Sequence, residues 1–221
     1  MIVSHKHKFI YVKCKKVAST TTEIIFGDIC GEEDILTPIG PEYEWKRKIK
    51  PRNFQKKKFR NHNTPRMIRW KLNSNLFDSY FKFMSVRNPW DRVVSFYWFR
   101  LAHRPDHYIK KFDEFVKWND LTHWLPPFTN WIILNGKKVI DDFIRFENME
   151  EDIGRIITKW VAPRDLKYEI PKTRAELRPE GKHYTEYYND ETRRIIAEKY
   201  AYDIEYLGYE FGDTQLSFDF S

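Results

Sequence analysis

Three short apolar segments along the chain have the composition of β-strands, and a polar loop and then an amphipathic segment follow each of them. The strand segments are rich in β-branched and aromatic residues, and the segments after them repeat apolar residues with helical spacing. The predicted strands are Lys8–Cys14, Tyr80–Val86 and Val139–Glu147. Strands that alternate with helices indicate an α/β fold with a central parallel sheet flanked by helices, and such folds bind ligands at the carboxyl ends of their strands.

Local sequence features place the helices. Asn88 suits an N-cap and Pro89 suits the first helical position, so a helix is predicted from Pro89 to Leu101. After the third strand, Asn148 and Glu151 have the spacing of a capping box. Two long polar stretches, 31–79 and 104–138, are predicted to contain further helices. Residues 162–184 are predicted to form a surface loop, and residues 190–207 to form the last helix.

Length, cysteine content and hydropathy narrow the class of protein. A chain of 221 residues suits one domain over 1–221. Its two cysteines, Cys14 and Cys30, are too few for a disulfide framework and fit a reducing compartment. Because no apolar run reaches about 18 residues and the N-terminus lacks a secretory pattern, we expect no membrane span and a cytoplasmic location.

The charge of the chain is unevenly distributed. The net charge is +7, and the segment 46–71, called the basic segment below, has twelve Lys or Arg and no Asp or Glu. Such a segment is either a solvated insertion or a surface for an anionic partner, which includes a nucleotide, a nucleic acid or an acidic glycan.

Two strand-to-helix junctions have residues that suit anion binding. In "KCKKVASTTTEI", a loop with Lys16 and a run of hydroxyl residues precedes a helix, and a helix N-terminus offers N–H groups and a positive dipole end. The loop lacks the glycines of a Walker A motif. In "SVRNPWDRVVSF", Arg87 ends a strand and Ser95 lies on the following helix, so both can reach one anion. Arg92 and Arg100 are expected to pair with acids such as Asp91.

The two junctions resemble the paired motifs of sulfotransferases that use 3′-phosphoadenosine 5′-phosphosulfate (PAPS), especially the carbohydrate type that includes heparan-sulfate 2-O-sulfotransferase. That family has a K-x-A/G-S/C-T/S loop for the 5′-phosphosulfate and an R-[ND]-P-x-x-R-x-x-S segment for the 3′-phosphate. "KVASTT" and "RNPWDRVVS" match both motifs in the same order. The segments "KFRNHNTPRMIRWK", "FIRFENMEEDI" and the C-terminal "HYTEYYNDETRRIIAEKYAYDIEYLGYEF" are also similar to the family, so the resemblance covers most of the chain.

The resemblance implies a P-loop-kinase-like sulfotransferase fold and a set of site residues. Lys16 would contact the bridging oxygen or the sulfonate, and Arg87 with Ser95 would hold the 3′-phosphate. Arg178, Lys182 and Tyr184 are candidates for a segment that closes over the donor. The 5′-phosphate would be held by the backbone and hydroxyls of Ala18, Ser19, Thr20 and Thr21.

A general base is expected to take the proton of the acceptor hydroxyl. His62 is the candidate, since the ordinary pKa of histidine, about 6.5, lies near working pH and the resembling enzymes often carry a histidine at this place. A carboxylate as the base and a structural role for His62 remain alternatives. We expect no metal, because the sequence has no cluster with ligand spacing. The tryptophans Trp118, Trp124 and Trp131 suit either a sugar-stacking platform or the core.

The sequence therefore predicts transfer of a sulfuryl group from PAPS to a hydroxyl, with a carbohydrate as the expected acceptor and an acidic glycan among the alternatives. A peptide tyrosine or a small alcohol also stays open. A basic nucleic-acid-binding protein is a rival class that the two junctions do not favour. A phosphotransferase is a second rival, although the Walker-type glycine loop that it needs is missing.

Overall fold

The computed structural model describes residues 1–47, 49–53, 58–104, 111–161, 168–170 and 182–213. The strands are β1 (Ile2–Ser4), β2 (Phe9–Val12), β3 (Ile35–Leu36), β4 (Phe81–Val86), β5 (Ile133–Leu134), β6 (Lys137–Lys138) and β7 (Asp142–Arg145). The α-helices are α1 (Ser19–Gly27), α2 (Pro41–Glu44), α3 (Pro65–Leu72), α4 (Ser74–Ser79), α5 (Pro89–His103), α6 (Phe112–Lys117), α7 (Leu121–Trp124), α8 (Thr129–Ile132), α9 (Met149–Trp160), α10 (Asp190–Lys199) and α11 (Ala201–Leu207).

The chain forms two compact units, each made of two segments. The first unit comprises Met1–Val86 and Asn130–Thr173, and the second comprises Arg87–Thr129 and Arg174–Ser221. The assignment of residues 1–221 to one sulfotransferase domain stays a prediction.

A five-stranded sheet, in the order β3-β1-β2-β4-β7, forms the centre of the first unit. Strands β2, β4 and β7 are parallel, as predicted, and their carboxyl ends lie at one edge of the sheet. The sheet as a whole is mixed, because β1 is antiparallel to both β2 and β3. The sequence did not predict β1 and β3, since they have only three and two residues and are too short for a pattern of their own. The carboxylate of Asp34 stabilises the β1–β2 turn by accepting from Ser4 Oγ and from the amides of His5 and Lys6.

Apolar side chains from one face of this sheet pack against helices and form the main core of the first unit. All four residues of β2 are buried, as expected for a central strand covered on both sides. Helices α1 and α9 supply much of the covering apolar surface. The buried core residues are Ile2, Phe9, Tyr11, Ile25, Phe26, Ile29, Cys30, Leu36, Phe83, Ile144, Ile153, Ile156, Ile157 and Val161.

The second unit is helical over its described residues, and α5 is its longest helix. The Asn88 side chain accepts from the Trp90 amide, and Pro89 occupies the first turn, so the predicted start of this helix is confirmed. The buried core residues of the unit are Trp90, Val93, Val94, Phe96, Tyr97, Phe115, Val116, Leu121, Leu125, Tyr184, Ile196 and Tyr200.

Two helix predictions were wrong in detail. The Asn148 side chain caps nothing, because a 3₁₀ turn, Phe146–Asn148, leads directly into α9. The predicted helix 190–207 is two helices, since the chain leaves helical geometry at Tyr200, whose buried hydroxyl donates to the carbonyl of Leu125. Most of the predicted loop 162–184 lies outside the described residues. Over the part of the chain that the structure describes, no helix has the length and apolar character needed to cross a membrane.

Candidate active site

The loop between β2 and α1 has an unusual backbone that opens a helix N-terminus. Lys16 and Ala18 both adopt left-handed conformations, with φ of 63° and 53°, although neither is a glycine. Non-glycine residues rarely adopt this conformation, and such strain is concentrated at functional sites. Ala18 occupies the N-cap position of α1, but its methyl group cannot accept a hydrogen bond. The amides of Ser19, Thr20 and Thr21 lie before Thr22, whose amide makes the first hydrogen bond to a backbone carbonyl of the helix. The loop therefore combines first-turn amides, a positive dipole end and the cation of Lys16, which together suit an anion.

A buried set of hydroxyl groups fixes the start of α1 against the sheet. The Ser85 hydroxyl on β4 lies 2.8 Å from the Tyr11 hydroxyl and 3.1 Å from Thr22 Oγ1. Burial raises the pKa of Tyr11, so its hydroxyl stays neutral. These three groups tie two strands to the first turns of α1, and the loop before α1 is thereby held in place.

His62 lies in a tight turn before α3 and is oriented by one hydrogen bond. Its backbone is left-handed, with φ of 63°, and its Nδ1 lies 3.2 Å from the carbonyl oxygen of Lys13. Because a carbonyl only accepts, Nδ1 carries the proton, and Nε2 has the lone pair. Burial and then the positive charge of Lys13 lower the pKa of His62 to about 4. The imidazole is therefore neutral at pH 7 and able to accept a proton at Nε2.

Asparagine side chains hold the turn on both sides of His62. Asn61 donates to the carbonyl of Pro38 at 2.7 Å and accepts from the hydroxyl of Thr37 at 2.5 Å. Asn63 Oδ1 accepts from the amide of Arg60 at 2.8 Å. The turn is thus fixed by side chains rather than by a sheet or helix.

A buried ion pair connects this turn to the anion-binding loop. Lys13 Nζ lies 2.5 Å from Glu23 Oε2, and both side chains are almost fully buried. Thr37 Oγ1 lies 3.4 Å from the other carboxylate oxygen, which also contacts the α-amino nitrogen of Met1. Burial alone would raise the pKa of Glu23, but the adjacent amino groups of Met1 and Lys13 lower it.

These contacts, together with the peptide bond between Asn61 and His62, form a closed ring that returns from the His62 imidazole to the carbonyl of Lys13. We call it the Glu23 ring, and its members are Lys13, Glu23, Thr37, Asn61 and His62. Its first four members were not predicted from the sequence. A glutamate next to the apolar residues Ile24, Ile25 and Phe26 of α1 was a visible indication for Glu23, whereas Asn61 had none.

In the second unit, the start of α5 carries the predicted cation. Arg87 Nε and Nη2 contact Asp91 Oδ2 at 2.8 Å and 2.7 Å, so Asp91 pairs with Arg87 rather than with the expected Arg92 or Arg100. Arg87 lies two residues before α5, and its side chain reaches Asp91 in the first turn of the helix. Ser95 lies four residues after Asp91 on the same face of α5 and is partly exposed.

The other two arginines of α5 lie in aromatic surroundings. The Arg92 guanidinium is fully buried, 4.0 Å from the ring centre of Phe128. The Arg100 guanidinium lies 5.1 Å and 5.3 Å from the ring centres of Trp118 and Trp124. Trp118 and Trp124 therefore pack on an arginine, although Trp124 is 39% exposed, and Trp131 is buried in the core.

The C-terminal candidates differ in what the structure shows of them. Arg178 lies outside the described residues. Lys182 is exposed, with Nζ 4.4 Å from the ring centre of Tyr187. Tyr184 is buried, and its hydroxyl accepts from the amide of Gly212 at 2.6 Å, so it belongs to the core of the second unit. Among the described residues, no group of three or more His, Cys, Asp or Glu is arranged to hold a metal.

Comparisons with known proteins agree with these features. A model of the sulfotransferase family matches residues 1–210. An uncharacterized protein of Archaeoglobus fulgidus is 39% identical over 115 residues, which cover 47% of this chain and 87% of that protein. The crystal structure of mouse sulfotransferase SULT7A1 complexed with PAP has a TM-score of 0.53 to this chain at 15% identity, and the match covers 91% of this chain and 86% of the mouse chain. The last comparison confirms the predicted fold.

Proposed function

The chain belongs to the sulfotransferase family, and we propose that it transfers the sulfuryl group of PAPS to a hydroxyl of a carbohydrate acceptor. PAPS supplies an activated sulfuryl group on a phosphate leaving group. The observation that carries the proposal is the strained loop at the start of α1, because its left-handed residues, Lys16 and Ala18, open an uncapped helix N-terminus beside a lysine.

The residues of this loop fit the anionic end of such a donor. We assign the 5′-phosphate to the amides and hydroxyls of Ala18 to Thr21, which lie at the positive end of α1. We assign Lys16 to the oxygen between sulfur and phosphorus, where its charge stabilises the leaving phosphate. Fixed positive groups of this kind need no reorganisation during the reaction. The strained backbone of the loop holds these groups in the position in which they stabilise the leaving phosphate.

We assign the 3′-phosphate to Arg87 and Ser95 at the start of α5. Asp91 holds the Arg87 guanidinium in one orientation, and a guanidinium fork fits the planar geometry of phosphate oxygens. Lys182 and Arg178 are further candidates for contacts with the donor's phosphates.

We assign the role of general base to His62. With Nδ1 donating to Lys13, Nε2 accepts the proton of the acceptor hydroxyl as the new bond to sulfur forms. Because the pKa of His62 is about 4, it is unprotonated at neutral pH. The negative charge of a bound donor is expected to raise this pKa and so make His62 a stronger base in the complex.

A transfer assay with labelled PAPS tests the proposal, with a panel of neutral and acidic oligosaccharides, a tyrosine peptide and a small alcohol as acceptors. Lys16→Ala and Arg87→Ala should each weaken PAP binding at least tenfold, since a hydrogen bond to a charged group contributes about 1.5–3 kcal/mol. Lys159→Ala and Arg194→Ala remove exposed cations of α9 and α10 and should change neither binding nor transfer. Full transfer by both Lys16→Ala and Arg87→Ala would exclude the assigned donor site, and transfer to the peptide alone would exclude the carbohydrate.

A further inference from the structure

Helix α3 begins three residues after His62 and has one buried face and one exposed face. Pro65, Ile68 and Leu72 point into the first unit. The opposite side presents Arg66, Met67 and Trp70, whose spacing of three and four residues places them on one face of the helix. We call these three residues, together with Arg60 and Lys71, the α3 face.

Trp70 is the aromatic centre of the α3 face. Its side chain is 64% exposed, although α3 already has three buried apolar residues for packing. Neighbouring exposed apolar side chains that are rimmed by polar residues mark interaction sites, and Trp70 shares its face with Met67, which is 44% exposed. An indole offers a flat apolar surface with one polar edge, which suits the C–H face of a pyranose ring.

Several cations lie on or beside the α3 face, and some of them have no acidic partner among the described residues. Arg69 pairs with Asp78, whereas the partner shown for Arg66 within the described part of the chain is the neutral amide of Asn135 at 3.4 Å. Burial and then the adjacent charge of Arg60 lower the pKa of Lys71, so these two cations lie close enough to repel each other. Like charges held together without an acid are the expected mark of a surface that binds an anion.

The α3 face adjoins the turn that holds the general base. Asn63, the residue after His62, contacts Met67 Sδ at 3.5 Å and accepts from Lys71 Nζ at 3.4 Å. Lys71 also donates to the carbonyl of Lys58 and lies over the ring of Phe59, at 5.7 Å from its centre. A molecule that lies along the α3 face therefore lies next to His62.

We propose that the α3 face docks an anionic carbohydrate, with Trp70 stacked on a sugar ring and with Arg60, Arg66 and Lys71 binding its carboxylate or sulfate groups. This inference rests on the proposed function, in which His62 takes a proton from the hydroxyl of the same acceptor. It assigns acceptor recognition to five residues rather than to the whole basic segment. Charge complementarity favours the anionic sugar over a neutral one.

Calorimetric titration without donor tests the docking directly. The probes are a hexamer of galacturonic acid, its carboxyl-reduced neutral counterpart and a sulfated dextran oligomer. We expect at least one acidic probe to bind at least tenfold more tightly than the neutral hexamer. Trp70→Ala and the double variant Arg60→Ala/Arg66→Ala should each weaken that binding at least tenfold. Trp70→Ser provides a second variant, and all of them should keep the wild-type melting temperature because the replaced side chains are exposed.

Two control variants lie off the α3 face, one just before the basic segment and one within it. Trp45→Ala removes a tryptophan that is 76% exposed, and Lys50→Ala removes an exposed lysine. Both should change the affinity for the acidic probe less than twofold. Equal weakening by these controls, no binding of either acidic probe, or unchanged binding by Trp70→Ala would overturn the proposal. So would tighter binding of a single-stranded oligonucleotide with the same dependence on Trp70, since the face would then serve nucleic acid.

The outcome of this titration is separable from that of the proposed function. PAP affinity should be unchanged in every variant of the α3 face, because the donor is assigned to Lys16, Arg87 and their neighbours. If the wild type neither binds PAP nor transfers the sulfuryl group, the sulfuryl-transfer proposal is refuted. If the wild type binds PAP but its affinity for the acidic probe does not depend on Trp70, only the docking surface is refuted.

Discussion

Replacement of Glu23 by glutamine should destabilise the protein more than any other conservative change of a charged residue in the first unit. Glutamine keeps the size and one accepting oxygen of glutamate but removes its charge. Lys13 would then keep a buried ammonium, 2.5 Å from a neutral amide, in place of its ion pair. Breaking a buried pair by neutralising one partner costs about 3–5 kcal/mol, because the remaining charge is left without compensation. That is a large part of the 5–15 kcal/mol by which a typical domain is stable.

Urea denaturation of the wild type and Glu23→Gln measures this cost. For a chain of this length the corresponding fall in melting temperature is about 6–20 °C, at roughly 2–4 °C per kcal/mol. Asp78→Asn is the matched control, since its pair with Arg69 is exposed and should contribute nothing measurable. The double variant Lys13→Met/Glu23→Gln should regain most of the lost stability, because it removes both charges of the Lys13–Glu23 pair.

The Glu23 ring gives this substitution a second readout. The backbone carbonyl of Lys13 also accepts the hydrogen bond that orients His62. Glu23→Gln should therefore lower kcat for sulfuryl transfer. The double variant should keep this low kcat although its stability is recovered. A stability loss below about 1 kcal/mol, or a double variant no more stable than the single one, would refute the reasoning that the pair is a buried charge pair.

Three further substitutions test other parts of the structure. His62 has a folded-state pKa of about 4 against an ordinary value of 6.5, so the unfolded chain binds a proton at His62 at a higher pH than the folded chain does. The stability that neutral His62 contributes is therefore complete above pH 6.5 and is lost as the pH falls towards 4. His62→Asn should therefore lose less melting temperature than the wild type between pH 7 and pH 4.5, and equal losses would contradict the shift. Ser85→Ala leaves the buried hydroxyls of Tyr11 and Thr22 without their common partner and should cost about 1–3 kcal/mol in urea denaturation; an unchanged midpoint would show that the hydroxyl cluster contributes nothing. Gly208 ends α11 with φ of 67°, so Gly208→Ala should lower stability by about 1 kcal/mol, and a melting temperature equal to the wild type would argue against the left-handed cap.

The predictions from sequence were most accurate where neighbouring residues determine the structure. Asn88 and Pro89 start α5 as expected, because a cap and a first-turn proline act within three residues. Asn148 failed as a cap although its spacing was suitable, since a 3₁₀ turn already leads the chain into α9. The helix break at Tyr200 was missed, and the hydrogen bond that holds the side chain of this residue joins it to Leu125, 75 residues away, which no local pattern contains.

The candidate site divides in the same way. The order of residues alone indicated the loop from Lys16 to Thr21 and the Arg87–Ser95 segment, since each is a short motif at a strand-to-helix junction whose chemistry depends on local geometry. The i, i+4 spacing of Arg87 and Asp91 was present in the sequence, but Arg87 lies before the helix, so only the structure shows that its side chain reaches Asp91. The order of residues also could not choose between core and platform for Trp118 and Trp124, which pack on Arg100.

By itself, the sequence determined the α/β class, the places of the strand-to-helix junctions and the family. Only the tertiary structure decided how His62 is oriented and what holds it. The contacts of the Glu23 ring join residues between 10 and 49 positions apart, and the free energy of a buried charge pair depends on the surrounding burial, which no local pattern contains. The exposure of Trp70 was decided in the same way, because only the packing of α3 shows which of its faces meets water.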